Sequence, residues 1–536
     1  MSTSYFDPSY SISTEPAGFL QGYNRSVTVW ALACVVTLIV FLLLWPAASE
    51  AILVDTRAAL LSAFRGWYMY VMLAFFVLAA TFALLPGAGD IRLGRPGERP
   101  EFSTFSWLSM MFCAGIGAAI VVFSVSEPLT HLSTNPDILA GQVTADTAQA
   151  APSALKYTFL HWGLSAWACF AVLGLAIAYF SYRHGTPLTV RSALTPLLGN
   201  RFGGVIGHSI DFFSVFAIIA GLAVSMGNGV PQFVSGLSIV FNLTEDSTTA
   251  ILVALAAVAG LSSLAIISGV KRGIKWMSNT STLIFLGVLM LFMVFGATRF
   301  ATDALVDAVS DYAVTFFGMS TLVATLDGTE TGDTLANWQV DWTIFYWGWW
   351  VGFAPFVGMF LARVSKGRSI REFVLGTMLG PCAMCMVWFA YVGGTAISIE
   401  LADNGALSTI DRPAQLYATL TMLLGDTVGV IVGGFVCALV FMLLASVFIA
   451  GILAINTIAA GGDDGPKPAA HVLLWSVSVA LIIAGLILAG GIASIRDAVI
   501  ISALPFSIII ALAGFAMVFM LVAHRTTLVK ITEMPA

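Results

Sequence analysis

Twelve stretches of this chain are each long and apolar enough to cross a lipid bilayer, and that constrains the fold more than any other feature. Inside a bilayer no water is at hand for backbone N–H and C=O groups, so a spanning segment must satisfy them itself, as a helix, or close into a barrel. Apolar runs of about 18 residues or more are helix length, well beyond what a barrel strand needs. The spans are expected at about 27–47, 66–86, 105–126, 156–182, 206–241, 248–269, 276–298, 341–363, 372–397, 428–459, 470–490 and 498–523. Only 10% of residues are charged, against about 25% in soluble proteins. A large soluble α/β protein would need short strands separated by polar surface helices, and none are visible. The expected fold class is therefore an all-α polytopic membrane protein. The fifth and tenth spans are long and read as tilted or broken. Gly229–Pro231, Pro355 and Pro381 read as points of local unwinding, which is tolerated where neighbours or a cavity satisfy the backbone.

Twelve spans put both termini on one side of the membrane, and the basic residues choose the side. With the N-terminus inside, only Arg57, Arg65, Lys156, Arg299, Arg412 and Arg496 fall outside, and the remaining 17 of the 23 Lys and Arg are cytoplasmic. The expected organisation is a cytoplasmic tail at 1–26, a transmembrane domain at 27–523 and a short cytoplasmic tail at 524–536. The placement expected is a bacterial-type cytoplasmic (inner) membrane. The segment before Val27 has no basic region followed by a cleavage site, so the first run reads as a retained span. The longest outer segment, 299–340, carries Asp303, Asp307, Asp311, Asp327, Glu330 and Asp333. Leu305, Val309, Tyr312 and Phe316 recur there at helical spacing, which predicts a short amphipathic helix on the membrane surface. All six cysteines lie in apolar segments, and Cys382 and Cys385 have no His nearby, so their reading is packing.

Two aromatic groups carry the functional argument. Span eight reads Trp342-Thr-Ile-Phe-Tyr346-Trp347-Gly-Trp349-Trp350-Val-Gly352-Phe353-Ala-Pro355-Phe356-Val-Gly358. An interfacial belt accounts for two or three tryptophans, but not for a run continuing inward to the Gly- and Pro-containing stretch. Span four holds His161-Trp162 and, on a broad face, Trp167 and Phe170. Rings facing one another across a cavity form a box for a quaternary ammonium or sulfonium group, each good cation–π contact contributing about 0.5–2 kcal/mol. Lipid-facing or packing tryptophan is the alternative. No acidic residue adjoins either group in sequence, so a cationic head would be held mainly by π faces. Span three contains Ala114-Gly115-Ile116-Gly117-Ala118-Ala119, for which close helix packing is the better reading and an unwound binding segment the other. Glu127, His161 and Asp211 are the ionisable residues in or near spans. Glu127 is expected near the outer interface, Asp211 near the inner one, and His161 as a hydrogen-bonded structural residue. None shows the partners that nucleophilic or metal catalysis requires.

The segment Trp342–Glu372, with Phe356-Val-Gly-Met-Phe-Leu-Ala-Arg363 and Lys366-Gly-Arg368, resembles the hallmark region of the betaine/choline/carnitine transporter family. Tyr157-Thr-Phe-Leu-His161-Trp162-Gly, Ser126-Glu127-Pro128 and Ser268-Gly-Val-Lys-Arg-Gly-Ile are similar too, in the same order. The resemblance implies a LeuT-like core of two five-helix inverted repeats, spans 3–7 and 8–12, after two extra helices. It implies alternating access and a homotrimer. Its aromatic box falls on Trp162, Trp167 and Trp350, with Trp349, Phe353 and Phe170 beside them and Gly115, Ile116 and Gly117 at the glycine-rich run. Phe170 and Phe353 stand where the family often has a polar-tipped aromatic. Sodium-driven relatives use a third glycine in that run and a Thr-Ser pair in span ten. Here Ala119 replaces the former and Ala450 and Gly451 the latter, leaving a degenerate sodium site near Ala114, Ile116, Val447, Ala450 and Gly451. The coupling ion expected is sodium or a proton, with no other cofactor and no nucleic acid. No span offers an obvious proton carrier.

The expectation is thus a non-enzymatic secondary transporter taking up a small methylated ammonium or sulfonium solute: glycine betaine, choline, carnitine, dimethylsulfoniopropionate or trimethylamine N-oxide. A related carrier for amino acids, or an exchanger without sodium coupling, is the alternative. An enzyme would need clustered His, Asp or Glu, and a receptor an appended signalling domain.

Overall fold

The computed structural model describes residues 10–95, 97–243, 247–269, 271–403 and 405–532, apart from the side chains of 112–116, 271–276, 278 and 523–532. Among them the fold is helical throughout, with two isolated bridges, Glu15 with Gln21 and Arg92 with Ser369, and no strand. Ten helices are long and apolar enough to cross a membrane, and each coincides with one expected span. The other two expected spans are irregular. Span seven turns by 107° at Phe295 into the helix Thr298–Thr321. Span three is two helices, Thr104–Ile116 and Ala119–Ser133.

Span three is interrupted at its small residues, as the unwound reading expects, and Gly117 is packed closely as well. Gly117 sits at φ 55°, where an L side chain is strained, and a Cβ there would lie 2.5 Å from Val447 Cγ2. The proline sites behave in the opposite way. Val205–Phe241 runs unbroken through Pro231, Phe345–Val364 through Pro355 and Ile370–Trp388 through Pro381, so none of the expected unwinding occurs there. Spans five and ten are likewise single helices of 37 and 34 residues. Irregularity falls instead on π-helical turns at Val340–Ile344 and Phe389–Gly393, and on Gly163, which divides span four into Ala151–Trp162 and Leu164–His184.

The glycines beside Pro355 serve packing. A Cβ on Gly352 would stand 3.1 Å from the Ala217 carbonyl oxygen and 3.2 Å from the Gly221 nitrogen, and one on Gly358 would stand 3.2 Å from the Gly174 nitrogen. Span eight therefore touches spans five and four backbone to backbone, as small residues allow in membranes. Gly352→Val is expected to cost about 1–3 kcal/mol through overpacking, read as a lower melting temperature of the purified protein. An unchanged melting temperature would contradict this close approach.

Spans five and ten pack most extensively, and spans six and eleven pack directly; a two-fold exchanging the predicted repeats would exchange the members of these pairs. Span one lies against span eleven, and span two against spans twelve, four and nine. In Thr298–Thr321 the buried stripe is Ala301, Ala304, Ala308, Tyr312, Phe316 and Met319, while Leu305 lies at its edge and Val309 is exposed. Alanines replace the expected large residues because this helix approaches Ala151–Trp162 closely. The two are also clamped by charge, Lys156 reaching Asp137 at 2.5 Å and Asp311 at 2.7 Å. Burial alone would raise the Asp137 carboxyl, but Lys156 and the Ser153 and Tyr157 hydroxyls hold it below its ordinary value.

At the opposite end, Asp211, near the start of Val205–Phe241, forms a buried ion pair. It is fully buried, bonded through one oxygen to Arg191 Nε at 2.9 Å and Nη2 at 2.5 Å. Arg191 also donates to the Phe202 carbonyl, at 3.2 Å, and lies 3.1 Å from His208 Nδ1.

Candidate functional site

The break at Gly117 lets a new helix begin at Ala119, and this places Glu127 inside the protein. Pro128 does not end that helix; it sits within it, against Gly393 of the second π-helical turn. Glu127 is wholly buried within the protein. One carboxylate oxygen, Oε1, lies 2.7 Å from His161 Nδ1 and 3.4 Å from His131 Nε2. The other, Oε2, accepts from Trp162 Nε1 at 2.7 Å and from the Tyr346 hydroxyl at 2.5 Å. His161 Nε2 continues to Thr343 Oγ1 at 3.1 Å. A single carboxylate thus ties span three to spans four and eight, and an acid does adjoin the aromatic groups. A buried carboxylate is costly unless several donors face it, and here they do.

The kink at Gly163 organises the rings. A Cβ there would lie 2.4 Å from the Phe159 carbonyl oxygen, so only glycine allows this bend. On either side of it, Trp167 Nε1 donates to the Trp162 carbonyl at 3.2 Å and Trp350 Nε1 to the His161 carbonyl at 2.8 Å. Trp162 meets Trp350 edge to face at 5.1 Å, Trp349 and Trp350 stack at 5.1 Å, and Trp167 meets Phe170 at 5.6 Å. Phe170 meets Trp350 at 6.1 Å and Phe353 meets Trp349 at 5.9 Å. All six expected aromatic residues therefore join one buried cluster. Phe123, Tyr346 and Phe389 complete it, at 5.8 Å from Trp349, 5.7 Å from Trp350 and 5.1 Å from Trp162 respectively. These three were not singled out from the sequence, and neither was His131. The spacing of Glu127 and His131, four apart on one helix, was the available signal for the latter.

The rings stand in contact. An ammonium head sits up to about 6 Å from each ring centroid it uses, so Trp162 and Trp350 must part to admit one. Open space lies next to them, on the side where Arg363 ends span eight. A cavity of about 360 Å³ is lined by Ser109, Phe356, Met359, Arg363, Val447 and Ala450, among others. A second, of about 350 Å³, shares Ser109, Ser281, Thr282 and Leu443 with it and reaches Gly117 and Ile120. Phe353 and Phe356, 4.7 Å apart, form the floor between the ring cluster and the first cavity. Of the residues around the degenerate sodium site, Val447 and Ala450 line that cavity, and a Cβ on Gly451 would meet Leu222 at 2.6 Å. The side chains of Ala114 and Ile116, and Gly115 between them, lie outside the described residues.

The family model for BCCT, betaine/carnitine/choline family transporter, matches residues 26–526. The chain is 35% identical to the glycine betaine transporter OpuD of Bacillus subtilis, over 83% of this chain and 85% of that one. It is 34% identical to the osmo-independent choline transporter BetT1 of Acinetobacter baylyi, over 84% and 85%. It is also 34% identical to the high-affinity choline transport protein of Escherichia coli K12, over 83% of this chain and 64% of that one. A solved structure, the substrate-bound outward-open state of a Na+-coupled sialic acid symporter, overlays at TM-score 0.39 and 13% identity over 80% of each chain, too loosely to bear on the site. A transporter fold of membrane helices, built around a buried aromatic cluster and matched by the family model almost end to end, makes this chain a member of the betaine/carnitine/choline transporter family.

Proposed function

We propose that the chain takes up a small methylated ammonium or sulfonium solute as a secondary active transporter, by alternating access through the aromatic cluster. The observation carrying this reading is the convergence of Trp162, Trp167, Phe170, Trp349, Trp350 and Phe353 in one buried group, next to a cavity lined by Phe356, Met359 and Arg363. Tryptophan faces favour a diffuse methylated cation over a compact, strongly hydrated one. Trp349 Nε1 is buried with no hydrogen-bond partner and so is free to meet a carboxylate or hydroxyl on the solute's other end. The distribution of Lys and Arg supports an inner-membrane placement with both termini cytoplasmic, and the family resemblance supports a homotrimer.

Purified protein in liposomes tests this. At least one of choline, glycine betaine, carnitine, dimethylsulfoniopropionate and trimethylamine N-oxide is expected to accumulate down an imposed ion gradient and to raise the melting temperature. Ethanolamine and glycine, which lack the methyl groups, are expected to do neither. Equal transport of the unmethylated analogues would sink the assignment.

A further inference from the structure

We infer that Glu127, with His131 and His161, is a proton-binding site, and that the proton it carries drives uptake. This rests on the transport reading above and adds the coupling ion to it.

The carboxylate oxygen and the two ring nitrogens lie within 4.8 Å of one another, all on wholly buried residues. Among the described residues no lysine or arginine forms an ion pair with Glu127. The charge on Glu127 is thus held by neutral donors and imidazoles, and Asp, Glu and His chains inside membrane proteins mark proton pathways. His131 is the second, independent sign. Both its ring nitrogens are buried without a hydrogen-bond partner, and Nε2 lies 3.4 Å from Glu127 Oε1, close enough for a small turn of the ring to bring a proton there to the carboxylate.

The surrounding charges are committed elsewhere. On the half-helix carrying His161, Lys156 is held by Asp137 and Asp311. In span eight Asp341 is held by Arg496 at 2.6 Å, and Tyr346 already donates to Glu127. On Arg412–Leu424, Arg412 lies over the Trp342 ring at 5.6 Å, where its fixed charge also acts on Glu127 and Tyr346 without pairing with them, and the Tyr417 hydroxyl bonds the Gln232 carbonyl. From span nine, the Tyr391 hydroxyl meets Thr302, and Glu400 accepts from Leu407 and Ser408. From span five, Gln232 is the polar side chain that reaches this helix, at the Val121 carbonyl. The titratable groups left to take up and release a proton are thus the carboxylate and the two imidazoles.

The balance of the step is simple. A proton from the outer water adds to the Glu127 carboxylate or to an imidazole beside it, and the same proton leaves to the inner water after the protein changes face. Protonation of Glu127 neutralises the acceptor shared by Trp162 and Tyr346. Charge-assisted bonds are about twice as strong as neutral ones, so the hold on two members of the ring cluster loosens as the proton binds. That links proton occupancy to whether Trp162 and Trp350 can part.

The test uses the full chain in sodium-free liposomes holding a pH-sensitive dye, with labelled choline and glycine betaine as probes. In the wild type, adding solute outside is expected to acidify the lumen, and an inward proton gradient to drive accumulation. In Glu127→Gln acidification is expected to fall to that of empty liposomes. Because that change also removes structural hydrogen bonds, His131→Asn serves as the second variant, expected to lose proton entry while exchange of labelled for unlabelled solute continues. If Glu127→Gln fails to fold, His131→Asn alone decides. Proton entry at wild-type level in the folded variants overturns the proposal, as does wild-type uptake that needs sodium and moves no protons. Wild-type liposomes that neither accumulate nor exchange any methylated solute overturn the transport reading itself, and this one with it.

Discussion

In Trp350→Ala, accumulation of a radiolabelled methylated solute is expected to fall to background while the protein still reaches the membrane. Trp350 touches five rings of the cluster: Trp162 and Trp349 at 5.1 Å, Tyr346 at 5.7 Å, Phe170 at 6.1 Å and Phe353 at 6.3 Å. Losing one cation–π face costs about 0.5–2 kcal/mol, which is roughly 2- to 30-fold in affinity. The gap left by the indole adds to that, because the five neighbours lose the surface that fixes their angles. Trp350→Phe keeps a π face but loses the bond to the His161 carbonyl, so it should transport with weaker half-saturation. Uptake by cells, normalised to membrane-inserted protein, separates the two variants. Wild-type uptake in Trp350→Ala would remove the cluster from the transport path.

The second large effect is on stability. Arg191→Ala leaves the Asp211 carboxylate buried without its partner, and one of its oxygens has no other hydrogen bond even in the intact protein. Removing one member of a buried pair costs about 3–5 kcal/mol, so the variant should melt well below the wild type or fail to accumulate. Adding Asp211→Asn to it removes the stranded charge and should recover part of the loss. No recovery in the double variant would mean that Arg191 acts mainly through the Phe202 carbonyl and its ring, 5.8 Å away.

Much of this was legible in the sequence because a bilayer permits few solutions. Hydropathy located the helices, and the tryptophans of spans four and eight indicated a cluster before any geometry was known. What hydropathy could not locate was where a helix breaks. Proline looks like the stronger breaker, yet Pro231, Pro355 and Pro381 stay helical, while Gly117 and Gly163 interrupt their spans because a positive φ and a close carbonyl require it. Taking span three to end at Ser126 hid the partners of Glu127, whereas the restarted helix carries on to Ser133 and packs the carboxylate against spans four and eight. The distant partners of Glu127, Tyr346 above all, are set by helix packing across more than two hundred residues of chain and leave no local pattern.

The interruption at Gly117 has an electrostatic consequence. A helix that begins in mid-membrane presents its first backbone amides without carbonyl partners, together with the positive end of a dipole equivalent to roughly half an elementary charge. Gly117 and Ile120, which open Ala119–Ser133, line the second cavity, so that positive end faces it. A solute carrying both a methylated cation and a carboxylate would meet π faces at one end and unpaired amides at the other. A purely cationic solute would meet only the first, so the two solute types should differ in how strongly they depend on this short stretch of backbone.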